Sequence, residues 1–363
     1  MRDFGAKRDG ITDDTEAIRA TIAAVNAAGG GSVYVPAGTY IVTQELHLIS
    51  NTQFYGDGIG ATVITIPDGL NRNVIGIIRM PDSEITPIVS NVIVRDLTID
   101  GNRLNQSDGE QFGFYCGAKH PRRHFQITAW RVEVRNCKGY GFDPHEWTER
   151  LYFIECISHD DETDGFTLDG IVDGVIRGCI AYNNDRHGFN IITNSNNLVI
   201  GQCIAHNNGV NGFTIQNGSF GIQITTSLTY ANESDGIYCA GVNDNIITNN
   251  QIALNRRNGI RIRGCARTTI TGNRLRDNSQ EEHDKYSEIV LDDNDELATV
   301  DTAVIANHVT CTGDVRARYG IRETSGEGLV LQTRNAFIAN KVSGGATSDY
   351  GISGQDSFRD LGT

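Results

Sequence analysis

The sequence predicts an all-β protein wound as a parallel β-helix of about a dozen coils, closed at its start by a short α-helix. Three observations carry that reading. A glycine followed by an aromatic or aliphatic residue recurs as Gly141-Phe142, Gly165-Phe166, Gly188-Phe189, Gly212-Phe213, Gly236-Ile237 and Gly259-Ile260, at intervals of 24, 23, 24, 24 and 23 residues. A period this short and steady belongs to a solenoid, whose coils bury their apolar faces only by stacking. Apolar and polar residues alternate after each glycine, as a strand with one inward face requires. Finally, 41 glycines against 6 prolines, with abundant asparagine, suit many tight corners.

Residues 1 to 40 read as a cap. Asp13 with Glu16 three positions later marks a helix start. Ile18, Ile22 and Val25 follow at helical spacing until Gly29-Gly30-Gly31 ends the run. Val33-Tyr34-Val35 then opens the first coil, with its turn at Pro36-Ala37-Gly38-Thr39-Tyr40. From Asp3-Phe4-Gly5-Ala6 to Pro36-x-Gly38-x-Tyr40, this opening resembles the cap and first coil of the pectate-lyase-like right-handed β-helix superfamily. That scaffold serves lyases, hydrolases, epimerases and phage tailspikes, so the resemblance implies the handedness of the winding and leaves the reaction open.

Further strands follow between residues 41 and 135, among them Val92-Ile93-Val94 and Leu97-Thr98-Ile99. Residues 104 to 124 break the rhythm with polar, basic and aromatic side chains and read as an irregular insertion, the usual place for a binding loop. The coils are regular from 136 to 275. An acidic stretch from Gln280 to Glu296 interrupts them between 276 and 300 and reads as a loop. Tyr319-Gly320-Ile321 and Tyr350-Gly351-Ile352 resume the motif 31 residues apart. One scaffold spanning 1–363 is expected.

Stacking the coils places Phe142, Phe166, Phe189, Phe213, Ile237 and Ile260 on one inward ladder, continued by Leu168, Ile191, Ile215 and Ile262. The alternate positions must face outward: Asp143 and His145, Thr167 and Asp169, Asn190, Thr214 and Gln216, Tyr238, Arg261 and Arg263. His145 and Asp169 are 24 residues apart, one coil, so they should lie side by side at roughly the 4.8 Å strand spacing.

Composition narrows the partners. A net charge of −14 argues against nucleic acid, whose binding is driven by lysine and arginine. Against that background Lys119-His120-Pro121-Arg122-Arg123-His124 is a local basic run that could receive a polyanion, or simply a solvated loop. Cys156, Cys179 and Cys203 each precede an isoleucine at one-coil spacing and read as reduced, small apolar ladder residues. No cysteine and histidine spacing suits zinc, no apolar run is long enough to span a bilayer, and no signal peptide opens the chain. We expect a monomer without nucleic-acid or membrane partners.

The densest chemistry lies in Tyr140-Gly141-Phe142-Asp143-Pro144-His145-Glu146. There is no phosphate loop, nucleophile elbow or dinucleotide fingerprint. A phenol of ordinary pKa about 10 and an imidazole of about 6.5 are instead suited to moving a proton at carbon. A proton alpha to a carboxylate leaves only if that carboxylate is neutralised as charge develops. Arg186 beside His187 and the basic run are the candidate cations, and Asp169 is the candidate for a shared proton. Blander readings stand beside these: a tyrosine before a turn glycine often packs, an outward histidine is often just solvated, Asp164 and Asp235 suit turns, and Asp160-Asp161 suits a corner.

Tyr140 to Glu146, with Asp160 to Asp173 and Asn184-Asp185-Arg186-His187-Gly188-Phe189-Asn190, resembles the catalytic A-module of bacterial mannuronan C5-epimerases, which convert β-D-mannuronate to α-L-guluronate within alginate. The resemblance implies Tyr140 and His145 as an acid/base pair on opposite faces of the sugar, with Asp143 and Asp169 supporting them and the substrate carboxylate. It implies substrate contacts from Arg186 and His187. We expect Glu110, Asn190, Thr214, Lys119, Arg122 and Arg123 to join them along an alginate or poly-mannuronate chain. Calcium dependence and secretion are implied too, usually with downstream calcium-binding repeat modules that this chain lacks. One departure stands at Glu110, near which the family often has lysine. Epimerisation and β-elimination share the C5 proton abstraction, so an alginate lyase or a bifunctional enzyme is the alternative, and a non-enzymatic adhesin or tailspike a weaker one. The second carboxylate pair and the glycine-histidine-glycine turn that a polygalacturonase needs are absent.

Overall fold

Short parallel strands, each hydrogen-bonded to the strand one coil before and one coil after it, make up nearly all of the regular structure. The computed structural model describes residues 4–81, 88–118, 121–294, 296–324, 333–353 and 357–360. Two compact units divide it, Met1–Arg186 and His187–Thr363, and each is a run of parallel β-helix coils.

The first unit opens with the cap. Its one helix, Thr15–Ala27, buries Thr15, Ile18, Thr21 and Ile22. The start lies one residue later than the capping signal suggests. Asp13 accepts the Thr15 N–H at 2.9 Å, while the neighbouring Asp14 carboxylate accepts the Lys7 and Arg8 N–H groups at 2.7 and 2.8 Å, tying the N-terminal segment to the helix. The helix ends at Gly29 to Gly31, all at positive φ. At Gly30 a Cβ would fall 2.6 Å from that of Asn51, so only glycine lets the first strand pass.

Past the cap, one sheet of this unit is laid down in order by Leu46–His47, Val74–Met80, Gln111–Cys116, Phe142–Pro144 and Phe166–Asp169. Gln111–Cys116 corrects the expectation of an irregular insertion over 104 to 124. It is a buried coil strand whose Gly113-Phe114 repeats the glycine marker, and Phe114 packs on Phe142 with ring centroids 5.7 Å apart. The spacing to Gly141 is 28 residues, outside the 23 to 24 period, and so conceals it.

In the second unit the corresponding strands are Phe189–Ile192, Phe213–Ile215, Ile237–Ala240, Ile260–Arg263, Ser287–Asp292, Tyr319–Glu323 and Ser348–Gly351. Ser287–Asp292 likewise corrects the loop expected over 276 to 300. Glu288 stands level with Gly259 and Gly320 of the two flanking coils, and its buried carboxylate takes the Asn278 backbone N–H at 2.8 Å. The motif is absent from the sequence although the strand is present.

Phenylalanines stack as the register requires: Phe142 on Phe166 at 4.7 Å in the first unit, Phe189 on Phe213 at 4.8 Å in the second, all fully buried. Asparagine does two jobs at the corners. Asn207 and Asn249 take left-handed φ values of 54° and 57°. Their successors Asn208 and Asn250 start buried side-chain ladders. Along Asn208, Asn232, Asn255 and Asn278 each Nδ2 donates to the next Oδ1 at 2.8 to 2.9 Å. Asn250, Asn273, Asn307 and Asn340 repeat this at 2.9 to 3.0 Å. Each Oδ1 also accepts the backbone N–H one coil back, so corner donors that strand pairing leaves over are satisfied without water. All eight cysteines are buried and free.

Candidate active site

In the first unit the polar cluster is built on neighbouring strands. Asp143 pairs in register with Tyr115 on one side, and Tyr115 with Arg79. Past Pro144 the chain leaves the ladder, held by His145 N–H to the Cys116 carbonyl at 2.6 Å and by Ala118 N–H to the Glu146 carbonyl at 2.8 Å. A Cβ on Gly117 would lie 2.8 Å from the His145 carbonyl, so glycine permits this close passage. The imidazole is thereby turned outward, its side chain 47% exposed and within reach of a ligand. It stacks over the Tyr115 ring at 5.9 Å, and the Arg79 guanidinium lies over that ring at 4.8 Å.

His145 Nδ1 lies 3.3 Å from Asp169 Oδ2 and 3.8 Å from Asp143 Oδ1, the one-coil adjacency that the 24-residue offset predicts. Both carboxylates are buried, and Oδ1 of each has no hydrogen-bond donor among the described residues. The Asp143 carboxylate, helped by Asp169 and Glu146, outweighs partial burial and lifts the imidazole to about 9. One imidazolium cannot neutralise two enclosed acids. Burial therefore holds Asp143 above the ordinary carboxylate range, with His145 opposing and Asp169 and Asp164 adding to the rise.

Tyr140 is half-buried, its ring edge-on to Phe112 at 5.0 Å. Gly139 is needed just before it, because a Cβ there would meet the Phe112 ring at 2.4 Å. Burial raises the phenol, Asp164 raises it further, and Arg186 pulls it back. Asp164, read from sequence as a turn residue, is fully buried; it accepts the Thr167 hydroxyl at 3.3 Å and faces Arg186 Nε at 3.8 Å. Its backbone carbonyl accepts the Gly141 N–H of the preceding coil at 3.1 Å. Asp161, by contrast, is a corner group. It accepts the Cys137 N–H and the Ser158 hydroxyl, both at 2.8 Å, and burial drives it up to about 8.

The remaining sequence candidates of this unit are more scattered. Arg123 lies over the Trp147 ring at 4.8 Å, two residues past His145, and Arg122 is exposed. Glu110 is exposed, its backbone N–H on Asn73 Oδ1 at 3.0 Å. Lys119 lies outside the described residues. Arg79, Tyr115 and Asp164 were not singled out for function. The signal that could have found Tyr115 is Gly113-Phe114, which puts the following residue on the Asp143 face.

In the second unit His187 Nδ1 meets the Thr214 hydroxyl at 3.2 Å and accepts the Asn211 N–H at 3.3 Å. Asn190 accepts from Gln216 Nε2 at 3.0 Å. The expected outward positions are in fact buried: Thr167 and Asp169 in the first unit, Asn190 and Thr214 in the second. They point away from the apolar interior, but coils roughly 4.8 Å apart let neighbouring side chains close over short polar groups.

A family model described as rhamnogalacturonase A/epimerase, pectate lyase-like, matches residues 1–238, and one described as periplasmic copper-binding protein (NosD) matches residues 145–349. The chain is 38% identical over 373 residues to mannuronan C5-epimerase AlgE5 of Azotobacter vinelandii, covering 97% of this chain and 37% of that protein. The chain therefore spans well under half the length of such relatives. Alginate lyase 7 of the same organism is 43% identical over 208 residues, covering 55% of this chain and 24% of that protein. The solved A-module of A. vinelandii mannuronan C-5 epimerase AlgE6 superposes with a TM-score of 0.91 at 34% identity, covering 99% of this chain and 97% of the module. The AlgE4 A-module gives 0.88 at 32% identity, covering 98% of each.

Proposed function

The chain belongs to the mannuronan C5-epimerase A-module family, and from that premise we propose that it inverts C5 of mannuronate residues within alginate to give guluronate. The observation that carries this reading is the His145 imidazole lying against Asp143 and Asp169, two buried acids each with an oxygen that no donor among the described residues satisfies. A bound uronate would bring its own carboxylate and a C5 proton to such a cluster.

The acid/base order follows from the relative proton affinities. His145 gives up its proton at about 9, while Tyr140 is held above its ordinary value of 10. As pH rises the imidazole is freed first. His145 is thus the base that takes the C5 proton, and Tyr140 the acid that returns one from the other face. Abstraction puts charge onto the substrate carboxylate. Asp169, 3.3 Å from the imidazole, is the group we propose to share a proton there. The Asp143 carboxylate is proposed to hold the imidazole. Arg186 and His187 are proposed to bind the sugar carboxylates, with Asn190, Thr214, Lys119, Arg122 and Arg123 as further contacts along the chain.

Likeness to an alginate lyase gives the second reading specific support. After the same abstraction, loss of the 4-O group would cleave the polymer. Incubation with poly-mannuronate separates the two: guluronate signals in proton NMR with unchanged chain length mark inversion, and ultraviolet absorbance from unsaturated ends marks cleavage. Neither signal would end the proposal.

Calcium dependence is proposed from the family alone. Among the described residues no group of three or more His, Cys, Asp or Glu side chains converges as a metal site, and no step is routed through the ion. Turnover before and after chelation, then after calcium repletion, tests it. An extracellular location and a monomeric state are likewise proposals. No helix among the described residues is long and apolar enough to cross a membrane.

A further inference from the structure

Five arginines of the second unit are each neutralised by an acid of a neighbouring coil. Arg257 meets Glu281 at 3.0 Å, Arg261 meets Asp292 at 2.7 Å, Arg267 meets Asp244 at 2.6 Å, Arg334 meets Asp301 at 2.6 Å, and Arg256 pairs with Glu233. One ladder of bases has no such acids among the described residues. On the sheet formed by Gln251–Ala253, Arg274–Arg276, His308–Thr310 and Lys341–Ser343, the register sets Gln251 beside Arg274, Arg274 beside His308, and His308 beside Lys341. Arg274 and Lys341 are exposed and His308 half-buried. Among the described residues none of the three has an acid within 4.0 Å, and Arg276 next to the ladder has only Asp277 at 3.7 Å.

Three basic side chains in consecutive coils, roughly 4.8 Å apart, repel one another once charged. On a protein of net charge −14, where Arg256, Arg257, Arg261, Arg267 and Arg334 each have an acid, three adjacent bases with none among the described residues offer a place for an external anion. Beside them lies a groove of about 390 Å³ lined by Leu228, Tyr230, Gln251, Leu254, Arg274 and Arg276. Its tyrosine and leucine offer apolar surface against which the face of a sugar ring can lie. A small anion would use one cation; a polymer with a carboxylate on every ring can use the series.

We propose that this ladder is a second, non-catalytic binding surface for an acidic polysaccharide, its cations taking successive carboxylates of a polyuronate that runs across the coils. It belongs to a different sheet of the second unit from Asn190 and Thr214. The choice of polyuronate rests on the alginate reading above. Tethering the polymer there would raise its local concentration without touching the reacting sugar.

The test is the full chain carrying Arg274→Gln and Lys341→Gln, compared with Arg256→Gln and Arg267→Gln, which remove the same charge from paired positions. In native gels containing poly-mannuronate the first variant should lose retardation several-fold relative to wild type, and the control should not. Its KM for the long polymer should rise several-fold at unchanged kcat, while turnover of a mannuronate hexamer stays the same. Equal losses in both variants would reduce the effect to net charge and overturn the proposal. A matching rise in KM for the hexamer would overturn it too, by putting the ladder in the catalytic groove. So would an equal loss of retardation in gels containing single-stranded DNA, by removing any preference for sugar. If wild type turns over poly-mannuronate and the ladder variant is unchanged, only this inference fails. If wild type is retarded but never turns it over, only the epimerase reading fails.

Discussion

At His145 the protein holds an imidazole whose proton is stabilised by two acids on adjacent coils, and the consequences are measurable. Because its pKa is lifted from 6.5 to about 9 chiefly by Asp143, the neutral, base-competent form accumulates only as pH rises. The ascending limb of kcat/KM should therefore lie above the ordinary histidine value. Asp143→Asn removes the largest cause, so it should move that limb to lower pH. A limb that stays in place would detach Asp143 from the imidazole. Tyr140→Phe and His145→Ala should each cost about 10²- to 10⁴-fold in turnover; full activity in either would sink the acid/base assignment. These residues are legible in sequence because Asp143, His145 and Asp169 fall on repeat positions whose offset equals one coil. Arg79, Tyr115 and the role of Asp164 are not, since they depend on a 28-residue coil and on which way a turn residue aims its carboxylate.

Among the elements, corners are where polar groups decide stability. Asn232 Nδ2 donates to Asn255 Oδ1 and Thr229 Oγ1, both at 2.9 Å, while its Oδ1 accepts two groups of Asn208. Asn232→Ala strands those partners in the interior and should cost about 1–3 kcal/mol in urea denaturation; a loss near zero would show the ladder to be ornamental. At Asp161 a carboxylate occupies a comparable corner. Folding raises it from 3.8 to about 8, so the folded protein keeps a proton that the unfolded chain releases between those values. Its contribution to stability therefore falls as pH climbs from about 4 to 8. Asp161→Asn should flatten that slope in melting temperature measured across the range. The sequence marks these corners by composition, but a backbone-setting Asn207 and a ladder-forming Asn208 are the same letter. Only the fold separates a residue chosen for φ from one chosen for its amide.

Across the whole molecule, we propose that 1–363 unfolds as one scaffold, since each coil has only its neighbours to bury its apolar face. Calorimetric and van't Hoff enthalpies should then agree, and two resolved transitions following the division at Arg186 would refute it. The repeat, the inward ladder and the Tyr140 to His145 cluster were determined by sequence alone, because strand alternation and a constant period are local properties that fix which residues share a face. Where coils change length, that logic lapses: the strands Gln111–Cys116 and Ser287–Asp292 lie inside stretches read as irregular. What the tertiary structure alone decided is charge and enclosure. An outward position proved to be a buried one, the His145 imidazole proved to lie against two enclosed acids, and three bases have no acid partner among the described residues, since each outcome depends on atoms contributed by other coils at ångström range.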